Sequence, residues 1–450
     1  MDFIEYINDN ILWGIPMLIF MLALGIYLTI ATKGVIFRKF PTVLRLTAGS
    51  LFTKREQKKE GTVSPFAAVS TALAATVGTG NIVGVAIAVR TGGPGAVFWM
   101  WISALFGMVI KYSEVLLAIN YRKKNKKGEY VGGPMYYMTK ALSSDFLAFL
   151  FCVFAILSSF GIGNTVQANS LASALYGGFG IPLWISGVLL SLFCGAVLIG
   201  GIKRISTVAE ILVPFMALFY ITAACIVLFI NFSKLPFAFS HIIRSAFSQT
   251  AVRGGFSGAS VMYAMRIGVS RGLFTNEAGL GSAPIAHASA DTDHPARQGL
   301  WGAFEVFFDT IVMCTITALV IISSDVWLAP PHTDSGLLSH MAFEKAIPFG
   351  GSIVSIGLVF FAFASIIAWY YYGEKCVEFL FKGKFKSAYR VLYVSACFFG
   401  CIADVTKIWE ISDTLNALMA IPNLIALFAL APTVAKLTED FFKNTKRTHR

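Results

Sequence analysis

Eleven stretches of this 450-residue chain are apolar over roughly the ~20 residues that a helix needs to cross the hydrocarbon core of a bilayer. They fall near 13–31, 66–89, 96–119, 146–172, 181–199, 211–230, 273–290, 300–322, 353–372, 388–402 and 414–431. The seventh is the weakest by hydropathy and the tenth is short. Composition agrees with so many crossings. Hydrophobic residues make up 56% of the chain, mean hydropathy is +0.71, and only 13% of residues are charged, against about 25% in soluble domains. A chain this long could otherwise hold two or three soluble domains, but the apolar runs leave no room for them. The fold class expected is an all-α polytopic membrane protein.

Charge sets the orientation. With the N-terminus outside, the inside loops and the tail hold 26 of the 36 Lys and Arg residues, led by "KREQKKE" and "YRKKNKK". The opposite orientation would reverse the positive-inside bias. An outside N-terminus, a cytoplasmic C-terminus and an odd number of crossings follow. The net charge of +12 is then a consequence of topology, and nucleic acid is not needed to explain it. The opening "MDFIEYINDN" is acidic and lacks the basic flank of a cleavable signal peptide. The seven cysteines (Cys152, Cys194, Cys225, Cys314, Cys376, Cys397, Cys401) lie in or beside apolar runs without zinc-type spacing, and read as packing residues. Residues 236–271, with Arg244, Arg253 and Arg266, read as external interfacial helices, and 323–350 as a long external loop able to act as a lid.

Within the second run, "ATVGTGNIVG" (75–84) carries three glycines, two threonines and an asparagine. Such residues are tolerated at membrane depth where the freed backbone faces protein or a water-filled cavity. A helix broken there ends in unpaired carbonyls that attract cations, and restarts with unpaired N–H groups that attract a carboxylate. Taken alone, the segment has a second reading, because Gly80 and Gly84 are spaced for close helix packing. A nucleotide-binding loop does not fit, since no strand precedes the glycines. The seventh run is interrupted in its turn by "FTNEAGLGSAP" (274–284). The two breaks are five runs apart, so runs two to six and seven to eleven form two units, each opening with its broken member. Because five is odd, the second unit enters the membrane from the opposite side, the inverted repeat of many secondary transporters. The organisation expected is an extra N-terminal helix with a basic cytoplasmic loop (1–65), a first five-helix unit (66–235), an external interfacial segment with the second unit (236–435), and a cytoplasmic tail (436–450).

Several segments resemble one family, the alanine or glycine:cation symporters, also called sodium:alanine symporters, within the amino acid-polyamine-cation superfamily. They are "GGPGAVFWMWISALFG" (92–107), "GGPMYYM" (132–138), "GIGNTVQANS" (161–170), "GLFTNEAGLGSAPIAHASADTDHPARQGL" (272–300) and "DTLNALMAIPNLIAL" (413–427). "TVGTGN" (76–81) is also similar to the broken first core helix of the wider superfamily. The resemblance implies about eleven transmembrane helices in the five-plus-five inverted repeat of the leucine-transporter type, with one extra N-terminal helix. It implies import of alanine, glycine or both, driven by Na⁺ or occasionally H⁺, in the plasma (inner) membrane of a prokaryote. Ala364 stands where the family often carries a polar residue.

The residue types then suggest roles. Backbone N–H groups of Thr79, Gly80 and Asn81 open the second half-helix and suit a carboxylate, with Gly78 and Gly80 allowing close approach. Gln167 reads either as side-chain help for that carboxylate or as an interhelical hydrogen bond, with Asn164 and Asn169 weaker candidates. Carbonyls around Phe274 and Thr275 suit an ammonium group. Glu277 either adds negative charge there or forms a structural pair. By the resemblance, carbonyls of Ala74 and Val77 face Ala362 and Ser365, whose hydroxyl completes a Na⁺ site. Asp309, four residues after Glu305, is a second carboxylate for the ion, or else structural or proton-linked. Trp369 and Phe274 read as pocket walls, with helix packing the alternative for Trp369. His287 and His294, seven residues apart, show no metal-site geometry and fit intracellular-gate or solvated positions better. No cofactor beyond the coupling ion and no obligate protein partner is indicated. Two rivals stand beside the symporter: a channel, which needs a continuous polar pore, and a membrane enzyme using Glu277 and His287 as acid and base. The absence of a phosphate loop in the sequence argues against an ATP-driven pump.

Overall fold

The computed structural model describes residues 6–52, 61–247, 261–330, 333, 335–404 and 406–447. Arg253 and part of the expected external loop (331, 332 and 334) lie outside the described residues. Among the described residues the elements are helices apart from one two-residue antiparallel pair, Lys123–Lys124 with Tyr130–Val131, and an isolated bridge between Val63 and Ala290. The membrane-region helices are α1 (Ile15–Ala31), α2 (Pro65–Thr76), α3 (Gly80–Gly92), α4 (Gly95–Tyr121), α5 (Asp145–Phe179), α6 (Leu183–Leu198) and α7 (Gly201–Ile230). A short α8 (Leu235–Ser245) follows, then α9 (Val261–Asn276), α10 (Ala283–His287), α11 (Pro295–Ser323), α12 (Gly350–Leu380), α13 (Lys386–Ile402) and α14 (Thr406–Arg447).

By length and apolarity, α4, α5, α7, α11, α12 and α14 can each cross a membrane, and α2 with α3 qualifies as one span bent by 50°. Helices α1 and α6 are apolar but shorter. Helices α9, α10 and α13 lie where the seventh and tenth runs were expected. Arg266 and Arg271 on α9, and Lys386 and Arg390 on α13, lower their hydropathy.

One boundary needs correction. The seventh run was expected to begin at residue 273, with 236–271 external. Helix α9 instead already includes Val261 and packs along α4. Small residues allow this approach: a Cβ on Gly268 would lie 2.7 Å from the Trp99 Cβ, and one on Gly272 3.3 Å from the Met100 Cα. Hydropathy missed this half of the span because two arginines sit within it.

The packing brings matched members of the two halves together. Helix α4 packs on α11, α5 on α12 and α6 on α13, a pairing that accords with a pseudo-two-fold relation between the units. Helix α2 is buried on every face from Ala67 to Thr76, as a helix surrounded by others must be. Large apolar side chains such as Phe193, Ile211, Phe229 and Leu392 are exposed and suit a lipid-facing perimeter. Three helices also contain wide π-type turns, at Gly80–Gly84, Gly161–Thr165 and Phe307–Cys314. Such turns redirect side chains and are frequent at functional sites.

Candidate substrate and cation site

The first break is closed by its own asparagine. Helix α2 stops at Thr76, and the Asn81 Oδ1 accepts the Gly78 N–H at 2.9 Å. The Asn81 amide nitrogen reaches the Asp309 Oδ1 at 2.7 Å and the Cys314 Sγ at 3.3 Å, both on α11. Asn81 is therefore committed at both ends of its amide. Among the described residues, the N–H groups of Thr79 and Gly80 take no hydrogen bond, so they are the donors left for a ligand at this restart of the helix.

The second break is a run of unusual backbone. Glu277, Gly279 and Gly281 have φ of 53°, 88° and 82°. Glycine adopts this region freely, whereas a glutamate there must be held by its surroundings. Three groups hold it. The Trp369 indole N–H donates to the Glu277 Oε1 at 3.1 Å, the Ser282 hydroxyl donates to the Oε2, and the Lys111 ammonium donates to the Glu277 backbone carbonyl at 3.1 Å. Glu277 is thus braced at both carboxylate oxygens and at its backbone carbonyl.

The two breaks meet face to face. A Cβ on Gly80 would lie 3.0 Å from the Thr275 Cγ2, and one on Gly84 3.7 Å from the same atom. Ser365 on α12 reaches the end of α2, its hydroxyl donating to the Ala74 carbonyl at 3.1 Å, with the Ala75 carbonyl at 3.4 Å. Gly78 must be small here, since a Cβ would come within 2.7 Å of the Ser365 Oγ. Val77 and Ala362 are fully buried in the same region. Asp309, fully buried, receives Asn81 on one oxygen and the Thr310 hydroxyl on the other at 3.0 Å. Asn276 donates to the Thr310 hydroxyl at 3.1 Å, which ties the second break to the same carboxylate.

Other expected residues fall differently. The Gln167 Oε1 accepts the Thr79 hydroxyl at 3.1 Å, between helices, and its amide nitrogen donates to the Ile162 carbonyl at 3.1 Å. Asn164 bonds the Tyr393 carbonyl and Asn169 the Ala403 carbonyl. Phe274 is half-buried and stacks on Trp409 of α14 at 6.4 Å between ring centres. Trp369 is buried against Gly163, where a Cβ would come within 2.5 Å of the tryptophan Cβ. His287 is buried, 3.1 Å from the Glu305 Oε2 and 2.8 Å from the Gln298 amide nitrogen, so it is not a solvated residue. His294 accepts the Ala296 N–H at 3.1 Å and caps α11. Among the described residues, no group of three or more His, Cys, Asp or Glu could hold a metal ion.

Sequence reasoning passed over Lys111 and Glu114, both fully buried on α4. The signal was present: two charged residues inside an apolar run of membrane length are functional hypotheses by default. Asn423 on α14 was also missed as an individual residue, although its segment was noted. It donates to the Glu114 Oε1 at 2.6 Å and to the Gly279 carbonyl at 2.9 Å.

Two helices broken at equivalent places in two pseudo-symmetric units, with their ends facing each other, define a secondary active transporter. The chain belongs to the sodium:alanine symporter family, whose model matches residues 1–450. It is 45% identical to the sodium/alanine symporter AgcS of Methanococcus maripaludis, over 98% of each chain. It is 37% identical to the probable sodium/glutamine symporter GlnT of Bacillus subtilis, covering 99% of this chain and 92% of that one. Its fold is similar to the crystal structure of MhsT, with a TM-score of 0.59 at 15% identity, covering 85% of this chain and 99% of that one. The protein is therefore a multi-pass membrane protein of the leucine-transporter fold that couples amino-acid transport to Na⁺. The family and the structural neighbours are transporters, and the enzyme rival is set aside on that ground.

Proposed function

We propose that the protein imports a small neutral amino acid, alanine or glycine, together with Na⁺ by alternating access. The observation that carries this reading is the meeting of the two breaks at Gly80 and Thr275, beside two backbone N–H groups without partners among the described residues. The substrate carboxylate binds the N–H groups of Thr79 and Gly80, in the field of the restarting half-helix. Gly78 and Asn81 shape this end, and Gln167 holds Thr79. The ammonium group faces carbonyls of Phe274 and Thr275 at the end of α9. Glu277 acts on the substrate through the backbone it braces.

One Na⁺ is held by carbonyls of Ala74, Val77 and Ala362 and the hydroxyl of Ser365, an all-oxygen set that suits a hard cation. Ser365 already lies on the Ala74 carbonyl, which supports this assignment. Asp309, tied to Asn81, supplies negative charge for a second cation or a proton nearer the substrate carboxylate. The N-terminus lies outside and the C-terminus in the cytoplasm, in the inner membrane of a prokaryote.

The substrate is small because the site is crowded. Thr275 approaches Gly80 closely, and Trp369 fills the space against Gly163. Alanine accords with the name of the AgcS relative, and glutamine, from that of GlnT, is the competing substrate. Purified protein in proteoliposomes, given an inward sodium gradient, should accumulate alanine or glycine against its own gradient. Preferential accumulation of glutamine would overturn the substrate assignment. Downhill flux alone, indifferent to sodium, would overturn the symporter and favour a channel.

A further inference from the structure

Beneath the second break the protein buries more acidic groups than basic ones. Lys111, Glu114, Glu277 and Glu305 are 0%, 0%, 4% and 0% exposed. The Lys111 ammonium lies 3.6 Å from the Glu305 Oε1 and donates to the Glu277 carbonyl. One cation thus faces three carboxyl groups, and a buried charge must be paired or neutralised. Glu305 is flanked by Lys111 on one side and by His287 on the other. Glu277 accepts a donor on each oxygen, from Trp369 and from Ser282, the pattern that suits an ionised carboxylate.

Glu114 is built differently. Both of its donors, the Gly281 N–H at 3.1 Å and the Asn423 amide at 2.6 Å, converge on Oε1. Among the described residues its buried Oε2 has no hydrogen-bond partner, and it lacks the ammonium that stands 3.6 Å from the likewise unbonded Glu305 Oε1. An ionised carboxylate shares its charge between two equivalent oxygens, and this geometry would strand half of it. A neutral acid has one acceptor-type carbonyl oxygen, which the two donors meet, and one hydroxyl, which at Oε2 finds no acceptor among the described residues. The ionisable groups around it are Lys111 one turn earlier on α4, Glu305 from α11, Glu277 from the break, and Tyr137 of the helix Pro134–Ala141. The Tyr137 hydroxyl donates to the Asn423 Oδ1. The same Asn423 amide nitrogen also holds the Gly279 carbonyl, so the bonds that define Glu114 are bonds to the second break itself.

We propose that Glu114 is a proton-binding site of the transporter, distinct from the sodium sites. It holds a proton while the segment 279–282 is docked on it, and exchanges that proton with water when the break moves during transport. Exchange is the simple reaction of a carboxyl group with its carboxylate and H⁺, and needs no further reactant. Glu114 lies seven residues before the end of α4 at Tyr121, roughly 10 Å along the helix, so a modest opening at that end reaches it. The proposal rests on the transport reading given above.

Difference infrared spectroscopy of the purified, sodium-bound protein tests the site without transport. A protonated-carboxyl carbonyl band should be present in the native protein and lost in Glu114→Gln. Should Glu114→Gln fail to fold, Asn423→Leu removes one donor from Oε1 and must move the same band to higher frequency. In proteoliposomes with an entrapped pH dye, sodium-driven uptake by the native protein should be accompanied by proton movement, and uptake by Glu114→Gln should not. A native protein without the band, a band unmoved by Asn423→Leu, or identical proton movement in native protein and Glu114→Gln would overturn the proposal. Loss of sodium-driven uptake by native protein with the Glu114 band intact would instead overturn the transport reading and leave the proton site standing.

Discussion

Trp369 joins two functions in one side chain: its ring fills the space against Gly163, and its N–H is one of the two donors to the Glu277 carboxylate. Two variants separate them. Trp369→Phe keeps most of the ring volume and loses the N–H, so it should retain size selection. It should also lower stability by about 1.5–3 kcal/mol, the usual worth of a hydrogen bond to a charged group. Trp369→Ala removes both, and valine or leucine should then compete with alanine uptake while alanine binds more weakly for want of dispersion partners. Competition measured on purified, stable protein checks this, and unchanged specificity would reduce Trp369 to packing. Ser365 bears on the ion instead. Ser365→Ala should raise the sodium concentration for half-maximal uptake severalfold with little change in substrate preference, because the lost oxygen weakens ion binding and linkage passes that loss to the substrate. An unaltered sodium dependence would place the ion elsewhere.

At the scale of elements, each break is stabilised by side chains from the opposite half of the chain. Asn81 of the first break is held by Asp309 of α11, and Glu277 of the second is held through its carbonyl by Lys111 of α4. The half-helices therefore cannot shift independently. Gly80→Leu should abolish uptake while leaving yield largely intact, since even a Cβ would stand 3.0 Å from Thr275 and a branched chain would fill the proposed carboxylate position. Normal uptake by this variant would remove the first break from the site. Lys111→Met should be costly in a different way. It leaves Glu305 buried with His287 alone, and removing one member of a buried pair typically costs about 3–5 kcal/mol. A large drop in thermal stability is expected, with part of it recovered in the double variant Lys111→Met, Glu305→Gln, where Glu305 no longer needs the lost ammonium. Equal instability of the single and double variants would mean that Lys111 acts by packing.

Across the whole molecule, two arginines fasten loops to the bundle. Arg90, near the end of α3, donates to the carbonyls of Trp327 and Ala329 at 3.0 and 2.6 Å and of Pro330 at 2.5 Å. Arg122, just after α4, donates to the carbonyls of Ala288 and Ala290 at 3.0 and 2.6 Å. Val63 adds a short parallel bridge to Ala290 beside the second arginine. In the proposed topology these fastenings lie on opposite faces, and alternating access requires each to release in turn. The topology itself is testable with an impermeant thiol reagent on right-side-out vesicles. Leu337→Cys, at an exposed position of the 323–350 loop, should label directly, and Lys443→Cys near the end of α14 only after the vesicles are opened. The reverse pattern would invert the orientation.

What the sequence determined by itself is whatever depends on local averages. A run of apolar residues reports membrane depth, and glycines at 78, 80, 279 and 281 mark where a helix cannot continue. The parity of a five-helix unit implied the inverted arrangement, with which the pairing of α4 on α11, α5 on α12 and α6 on α13 accords. The tertiary structure alone decided which buried polar group each residue meets. Asn81 finds Asp309 across 228 positions, Glu114 finds Asn423 across 309, and Thr79 finds Gln167 across 88. It also decided that α9 includes Val261 despite its two arginines, and that Lys111 sits in the bundle rather than at a surface. The reason is desolvation. Hydropathy counts a buried charge as a cost, but the cost is removed by one partner at hydrogen-bond distance, and that partner comes from a distant part of the chain only once the helices have packed.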